Sequence, residues 1–453
     1  MKSIRRTQRI ISLIILLFIA GMAFLVLKIN HEADFYMMNS DTHELGFVYD
    51  RSGDVLFDGS GHGSYPENYF IDVGNLIGDD KGQMSNTLVA RNLQKLNNYS
   101  FSEGIKKQGG KAAIYTTLDH AANRAVFNTY GYMEGCVSAY NYKTGEMLVC
   151  ASLPSLDVTN GYEGIENFKN GTLLSKNFLG TVPGSTQKVS TVISAVEIMG
   201  SAKLYSKSFS CSGKYTNKTG DDIDCHNIYG HGTQNIQEAF ENSCNPFFAQ
   251  LIEDADMPLD KVKKQYEKMG YVLNGGEESY IDINGIQCYT ASTTLENSNE
   301  FRTQWGCIGQ GDTLVSPVQL MMWQSAIANG TGKMTMPYLI DHVTDLNGHV
   351  KEKAKTSYSE KLFSESTASA VKQIMLTNGS DRYSYLINGY TVGVKSGTAQ
   401  VSEGAKENSL LVGFVDDPSF PIAFCILIED KDSGYLTTEQ VAQVLLDNLK
   451  NNY

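Results

Sequence analysis

Ser185 and Lys188 stand three residues apart at the head of an apolar run, so a helix there carries the hydroxyl and the amine on one side. A serine hydroxyl attacks an amide carbonyl at neutral pH only with a base in reach. A lysine amine is that base when it is neutral, and burial or a neighbouring cation pushes its pKa down. Two further short motifs follow along the chain, Ser243-Cys244-Asn245 and then Lys395-Ser396-Gly397-Thr398. The set supplies a nucleophile, a base, a hydroxyl–amide pair and a lysine at a strand end. That inventory points to acyl transfer through a serine ester.

Each motif has copies, and local context chooses among them. Ser369-Ala370-Val371-Lys372 repeats the first spacing, and Ser175-Lys176-Asn177 repeats the second. Lys143-Thr144-Gly145 and Lys218-Thr219-Gly220 resemble the third. Val182-Pro183-Gly184 breaks the chain before Ser185, and Val189, Val192, Ile193 and Val196 then fall on one helical face before Gly200. Ser369 has no breaker before it and lies in a surface-like helix over 364–376. The bland reading of Ser185 is a helix N-cap beside a solvated Lys188. The bland reading of Ser243 and Asn245 is punctuation between two helices, with Asn245 as N-cap and Pro246 as first helical residue.

The third motif separates best from its copies. Tyr390-Thr391-Val392-Gly393-Val394 reads as a strand running into Lys395. A strand edge offers unpaired N–H groups, and that of Thr398 joins the Ser185 N–H as an expected oxyanion hole. Gly397 is expected to leave room for a substrate backbone. Lys395 brings positive charge to a substrate carboxylate and helps keep Lys188 neutral. Taken alone, Lys395 is a surface lysine at a strand end.

The elements that must position these residues are legible in outline. The chain has 453 residues, enough for two or three domains. Residues 10–27 form an uncharged apolar run preceded by Lys2, Arg5, Arg6 and Arg9. This reads as one uncleaved membrane helix with a cytoplasmic tail at 1–9 and the rest outside. The rival is a signal peptide cleaved near Gly21-Met22-Ala23, but Phe24-Leu25-Val26-Leu27 continues the apolar run beyond it. Residues 29–115 read as a small module and 116–453 as the domain that carries the motifs. Asp119 reads as a helix cap, Lys143-Thr144-Gly145 as a hairpin turn, and Ser316 as an N-cap with Gln319 as reciprocal cap. Strands over 409–415 and 421–429 and a helix over 438–449 close the chain. Strands at both ends of the domain with helices between them imply an α+β fold, one sheet covered by helices.

Composition excludes several function classes. The net charge of −13 argues against nucleic acid as a partner. Gly309-Gln310-Gly311-Asp312 lacks the lysine of a phosphate loop, and no cofactor is expected. Cys211 and Cys225 flank a polar loop and are the candidates for a disulfide. With His226 and His231 they also allow a zinc reading, but the close Cys-x-x-Cys spacing is missing, so no metal is expected. Cys136, Cys150, Cys244 and Cys425 lie in apolar settings and read as packing.

The three ordered motifs resemble those of class B penicillin-binding proteins, the monofunctional peptidoglycan D,D-transpeptidases. The resemblance extends over most of the chain. Tyr49-Asp50-Arg51-Ser52-Gly53 is similar to the family's opening segment and Thr117-Leu118-Asp119 to the start of its transpeptidase domain. The stretch from Lys143-Thr144-Gly145-Glu146 to Pro154-Ser155-Leu156-Asp157 is similar to its first hairpin. Gly309-Gln310-Gly311 with Ser316-Pro317-Val318-Gln319 is similar to its Gly-Gln-Gly segment. The resemblance implies Ser185 as nucleophile, Lys188 as general base, Ser243 as proton relay and Asn245 as amide ligand of the substrate. It makes Lys395, Ser396 and Thr398 the carboxylate binders, with Gly397 among them. It implies the penicillin-binding and serine β-lactamase-like fold, a central antiparallel sheet covered by helices. Peptidoglycan stem peptides and β-lactams are the implied ligands, and a polytopic membrane glycan polymerase is the implied partner. Gln187 departs from the family, which often has Phe there, and the region before the domain is too short for a large pedestal.

Two rival functions remain at this level. One is hydrolysis, as a D,D-carboxypeptidase or β-lactamase, for which no water-activating base is identifiable. The other is a non-catalytic cell-wall scaffold or β-lactam sensor, which would not need three intact motifs.

Overall fold

The computed structural model describes residues 2–38, 45–97, 99–100, 104–105, 112–401 and 405–452. Parts of the 29–115 module therefore lie outside the described residues. The fold is α+β. Its central sheet has five antiparallel strands in the order Val392–Val401, Lys406–Val415, Ile422–Glu429, Glu134–Asn141, Met147–Leu153. The three strands expected near the end of the chain thus lie beside the hairpin that turns at Lys143-Thr144-Gly145. Asn141 Oδ1 pins that turn by accepting from the N–H groups of Lys143 and Thr144, at 2.8 and 3.1 Å.

Both faces of the sheet are covered, which explains why its strands read as unbroken apolar runs. Side chains still alternate. Ile422, Phe424, Ile426 and Ile428 join a core with Val126, Leu445 and Leu446, while Ala423, Cys425 and Leu427 point into the larger core on the other face. Helices His120–Tyr130 and Thr438–Asn452 build the first cover. Helix Pro317–Ala328 lies on the second, and all of its residues are buried. Asp119 caps His120–Tyr130 by accepting from the Ala122 N–H at 2.9 Å, as expected. Ser316 caps Pro317–Ala328 through the Gln319 N–H at 3.1 Å. The reciprocal cap from the Gln319 side chain is not made. That side chain is buried beside Met334 Sδ at 3.4 Å.

A second sheet crosses the module boundary read from the sequence. Its order is Val350–Lys353, Ile340–Thr344, Ala113–Thr116, Phe47–Tyr49, Val55–Asp58. Strands from residues 47–58 and from 340–353 thus belong to one sheet, joined through Ala113–Thr116. Asp50 ties it down, accepting from the N–H groups of Ser52 at 2.7 Å, Asp54 at 2.8 Å and His120 at 3.2 Å. At the start of the chain, Lys2–Met38 is one helix. Its stretch Ile4–Ile29 is 26 residues long, with no buried residue and a most apolar 18-residue window of mean hydropathy 3.1, which is long and apolar enough to cross a bilayer.

Candidate active site

Pro183 and Gly184 force a break, and the chain then makes one tight turn, Gly184–Gln187, before the helix Lys188–Met199. That helix is buried from Lys188 to Val196. Ser185 is half-buried at its mouth, and Lys188 is fully buried one turn on. Lys188 Nζ lies 2.7 Å from Ser185 Oγ. Two pure acceptors flank the amine, the Ser243 carbonyl at 2.9 Å and Asn245 Oδ1 at 2.8 Å. A neutral amine has two N–H groups and one lone pair. The two acceptors take the N–H groups, and the lone pair is left facing the Ser185 hydroxyl. Burial first, and the Lys395 charge second, push the Lys188 amine well below its ordinary range.

Ser243 and Asn245 reach this point from the break between helices Ile236–Glu241 and Asn245–Glu253. The N-cap is Cys244, and Asn245 is already helical. The Asn245 side chain is therefore free for the site. Its Nδ2 donates to the Asp224 carbonyl at 3.0 Å, which fixes the amide with Oδ1 toward Lys188. Ser243 holds a left-handed backbone at φ +50°, a conformation that costs about 1–3 kcal/mol outside glycine and persists where surroundings over-determine it. Its Oγ lies 3.2 Å from Lys188 Nζ and accepts from Lys395 Nζ at 3.1 Å.

Lys395 sits on the edge strand Val392–Val401, with its Nζ also donating to the Ser396 carbonyl at 2.8 Å. Burial pulls its pKa down to about 7. Tyr383 donates its hydroxyl to Ser396 Oγ at 2.7 Å, leaving the Ser396 hydrogen for a ligand. The Thr398 carbonyl accepts from Gln310 Nε2 at 3.1 Å and so faces away from the neighbouring strand. In an antiparallel ladder one residue's N–H and C=O point to the same side. The Thr398 N–H therefore faces outward too, as an oxyanion donor must. Gly397 packs closely against the turn at Ser185. A Cβ there would stand 2.8 Å from the Pro183 carbonyl oxygen and 2.9 Å from Thr186 N. The glycine lets the strand cross the turn that carries Ser185. These groups open on a cleft of about 840 Å³, which Ser185, Ser243, Asn245, Trp305, Tyr383 and Thr398 help to line.

The family model described as penicillin binding protein transpeptidase domain matches residues 135–447, most of the chain and all three motifs. The chain belongs to that family. Among curated proteins it is 29% identical to stage V sporulation protein D of Bacillus subtilis over 301 residues, 63% of this chain and 44% of the relative. It is 22% identical to the peptidoglycan D,D-transpeptidase FtsI of Buchnera aphidicola over 339 residues, 72% of this chain and 54% of the relative. The chain spans about half the length of the curated relatives it matches. Two solved structures share its fold. The D,D-transpeptidase domain of a peptidoglycan glycosyltransferase from Eggerthella lenta has a TM-score of 0.73 at 22% identity, over 90% of this chain and 98% of that one. PBPA from Mycobacterium tuberculosis has a TM-score of 0.75 at 18% identity, over 90% and 99%.

In this penicillin-binding transpeptidase domain the motif copies do structural work away from the cleft. Ser369 is exposed, and Lys372 pairs with Asp416 at 2.7 Å. Lys176 pairs with Glu429 and Glu134, while Asn177 Nδ2 donates to the Ala151 carbonyl at 3.1 Å. Lys143 donates to the Pro418 carbonyl at 3.0 Å, and Lys218 pairs with Glu253 at 3.4 Å.

Three groups near the penicillin-binding site were not assigned roles from sequence. Gln310 and Tyr383 brace the edge strand, and only the Gly-Gln-Gly pattern around Gln310 was visible. Gln187, the departure from the family pattern, is buried in a polar network. Tyr271 donates to its Oε1 at 2.6 Å, and its Nε2 donates to the Tyr266 hydroxyl at 3.4 Å.

Three of the cysteines gather beside the second motif. No disulfide joins Cys211 and Cys225, and both are free thiols. Their sulfurs, the Cys244 sulfur and a His231 ring nitrogen all lie within 4.8 Å of one another. Cys244 is buried as expected, but its sulfur faces this group. The hydrogen bond from Cys244 is the main cause holding the Cys225 thiol far below its usual range, and His226 and His231 add to it. Cys-x-x-Cys spacing did not reveal the cluster because its members come from separate segments.

Proposed function

We propose that this chain is a peptidoglycan D,D-transpeptidase that cross-links stem peptides through a Ser185 ester and is inhibited covalently by β-lactams. The observation that carries the reading is the buried Lys188 amine, held by two acceptors and placed 2.7 Å from Ser185 Oγ. Ser185 attacks the penultimate D-Ala carbonyl of a donor stem and passes its proton to Lys188. The Ser185 and Thr398 N–H groups receive the oxyanion. The C–N bond breaks as the terminal D-Ala amine takes a proton from Lys188 through Ser243. Asn245 binds the donor amide; Lys395, Ser396 and Thr398 bind its terminal carboxylate. An amine of a neighbouring stem then attacks the ester, and Lys188 again takes the proton.

Among the described residues no carboxylate hydrogen-bonds to Ser185, Lys188 or Ser243, which favours an amine over an activated water as acceptor. FtsI of Buchnera aphidicola and MrdA of Salmonella typhimurium, the latter 21% identical over 374 residues, are peptidoglycan D,D-transpeptidases and support the same substrate class. So do the acyl-enzyme complexes of the mycobacterial PBPA with penicillin G and imipenem. The N-terminal helix anchors the chain with Lys2, Arg5, Arg6 and Arg9 in the cytoplasm and the catalytic domain outside, beside a polytopic glycan polymerase. The test is to incubate the full chain with a stem-peptide donor and an amine acceptor and to weigh the products. Cross-linked dimer with release of D-Ala is the expected outcome. Hydrolysed donor without dimer would replace this reading with a carboxypeptidase.

A further inference from the structure

We propose that Cys211, Cys225, Cys244 and His231 bind a structural zinc ion that fixes the Ser243-Cys244-Asn245 motif. Three thiols and one imidazole are a donor set that zinc takes in closed tetrahedral sites. Zn–S bonds of about 2.3 Å and Zn–N bonds of about 2.0–2.1 Å place ligand atoms roughly 3.5–3.8 Å apart. The four donor atoms already lie within 4.8 Å of one another, and Cys225 Sγ to His231 Nδ1 is 3.5 Å. The three cysteines are buried and His231 is half-buried, which is the closed setting of a structural ion.

The surrounding chain is built to hold these donors. Cys211 ends strand Phe209–Cys211, Cys225 follows Asp222–Asp224, and His231 precedes Gly232–Gln234. The His231 N–H donates to the Cys211 carbonyl at 3.1 Å, which locks two of the donors together. Gly230 makes that approach feasible, since a Cβ there would stand 2.2 Å from the same carbonyl oxygen. Gln234 adds an independent sign. It is buried, its Oε1 is used by Asn242, and its Nε2 has no hydrogen-bond partner. That amide borders Cys244 instead. An unpaired buried amide donor beside a sulfur is a group that a metal-bound thiolate can engage as an outer contact.

The consequence for the site follows from chain geometry. Cys244 is bonded to both Ser243 and Asn245, whose oxygens surround the Lys188 amine. Cys225 adjoins Asp224, whose carbonyl orients the Asn245 amide. An ion on both cysteines therefore clamps the strained Ser243 backbone and the Asn245 side chain from two directions. Zinc also accounts for the unpaired thiols, because metal-bound sulfurs do not form a disulfide. This positioning role rests on the transpeptidase reading; binding of the ion does not. Occupation releases the thiol protons to solvent.

The full-length chain, purified in detergent without a histidine tag, tests this by elemental analysis. About one zinc per chain is expected, lost in Cys211→Ser and in His231→Ala. Cobalt(II) added to chelator-stripped wild type should give the visible bands of a tetrahedral thiolate site, a readout that holds if the variants fold poorly. Stripping should slow labelling of Ser185 by a fluorescent penicillin by up to about 10²-fold, and added zinc should restore it. Wild type that carries no metal and yields no tetrahedral cobalt spectrum, or that shows a Cys211–Cys225 disulfide in mass spectra, overturns the proposal. Normal metal with no labelling would instead count against the transpeptidase reading.

Discussion

Lys188 and Lys395 share one hydroxyl. Ser243 Oγ lies 3.2 Å from the first amine and 3.1 Å from the second. Both lysines are buried, and neither has a carboxylate partner among the described residues. Burial disfavours either charge, and each charge disfavours the other, so the pair titrates together. The proposed mechanism needs Lys188 neutral and Lys395 charged.

That division predicts a bell-shaped pH profile for acylation. Lys188 must be neutral, so the rate rises with pH through its depressed pKa. Lys395 must be protonated to hold a carboxylate, so the rate falls as pH passes about 7. Stopped-flow labelling with a fluorescent penicillin measures both limbs. Lys395→Arg should remove the alkaline limb, because arginine keeps its charge. A wild-type rate that keeps climbing well above neutrality would refute the assignment of Lys395.

Ser185→Ala should abolish the covalent penicillin label, whereas Ser369→Ala should leave it unchanged. Ser369 is exposed and its Lys372 is engaged with Asp416. Peptide mapping that finds the adduct on any other residue would sink the nucleophile assignment.

Lys188→Ala should fold and yet acylate about 10²–10⁴-fold more slowly, the range lost with a general base. The helix around it keeps its buried apolar residues, so thermal melting should stay cooperative. A labelling rate near wild type would mean that another group takes the Ser185 proton.

Gln310→Ala should slow acylation without unfolding the domain. Its side chain donates to the Thr398 carbonyl at 3.1 Å and accepts from the Gln400 N–H at 3.3 Å. Losing both lets the edge strand shift against Ser185, and a misplaced oxyanion donor costs on the order of 10²-fold. Gln310→Glu keeps an acceptor for Gln400 and loses the donor to Thr398, so it should behave like Gln310→Ala. Full activity in both variants would remove Gln310 from the oxyanion geometry.

Protease added to intact, wall-stripped cells should remove the region after Lys28 and leave the apolar helix in the membrane fraction. The basic residues before Ile10 motivate that orientation. A fully protected catalytic domain would overturn both the orientation and the transpeptidase reading.

The proposed nucleophile Ser185, its proposed base Lys188 and the strand lysine Lys395 could be singled out in the sequence because local features mark them. A Pro-Gly break precedes Ser185, a helical spacing joins it to Lys188, and a strand pattern runs into Lys395. The hairpin and the late strands were legible for the same reason, since period and turn chemistry are local. Four things were decided only by the tertiary structure. Gly397 faces the nucleophile turn, which no pattern within its own strand can tell. Gln310 reaches Thr398 across 88 positions. Strands from 47–58 and 340–353 meet in one sheet. Cys211, Cys225, His231 and Cys244 converge from four separate segments. Each is a meeting of segments distant in sequence. Local propensity fixes what a segment becomes, while long-range packing fixes which side chains it will face.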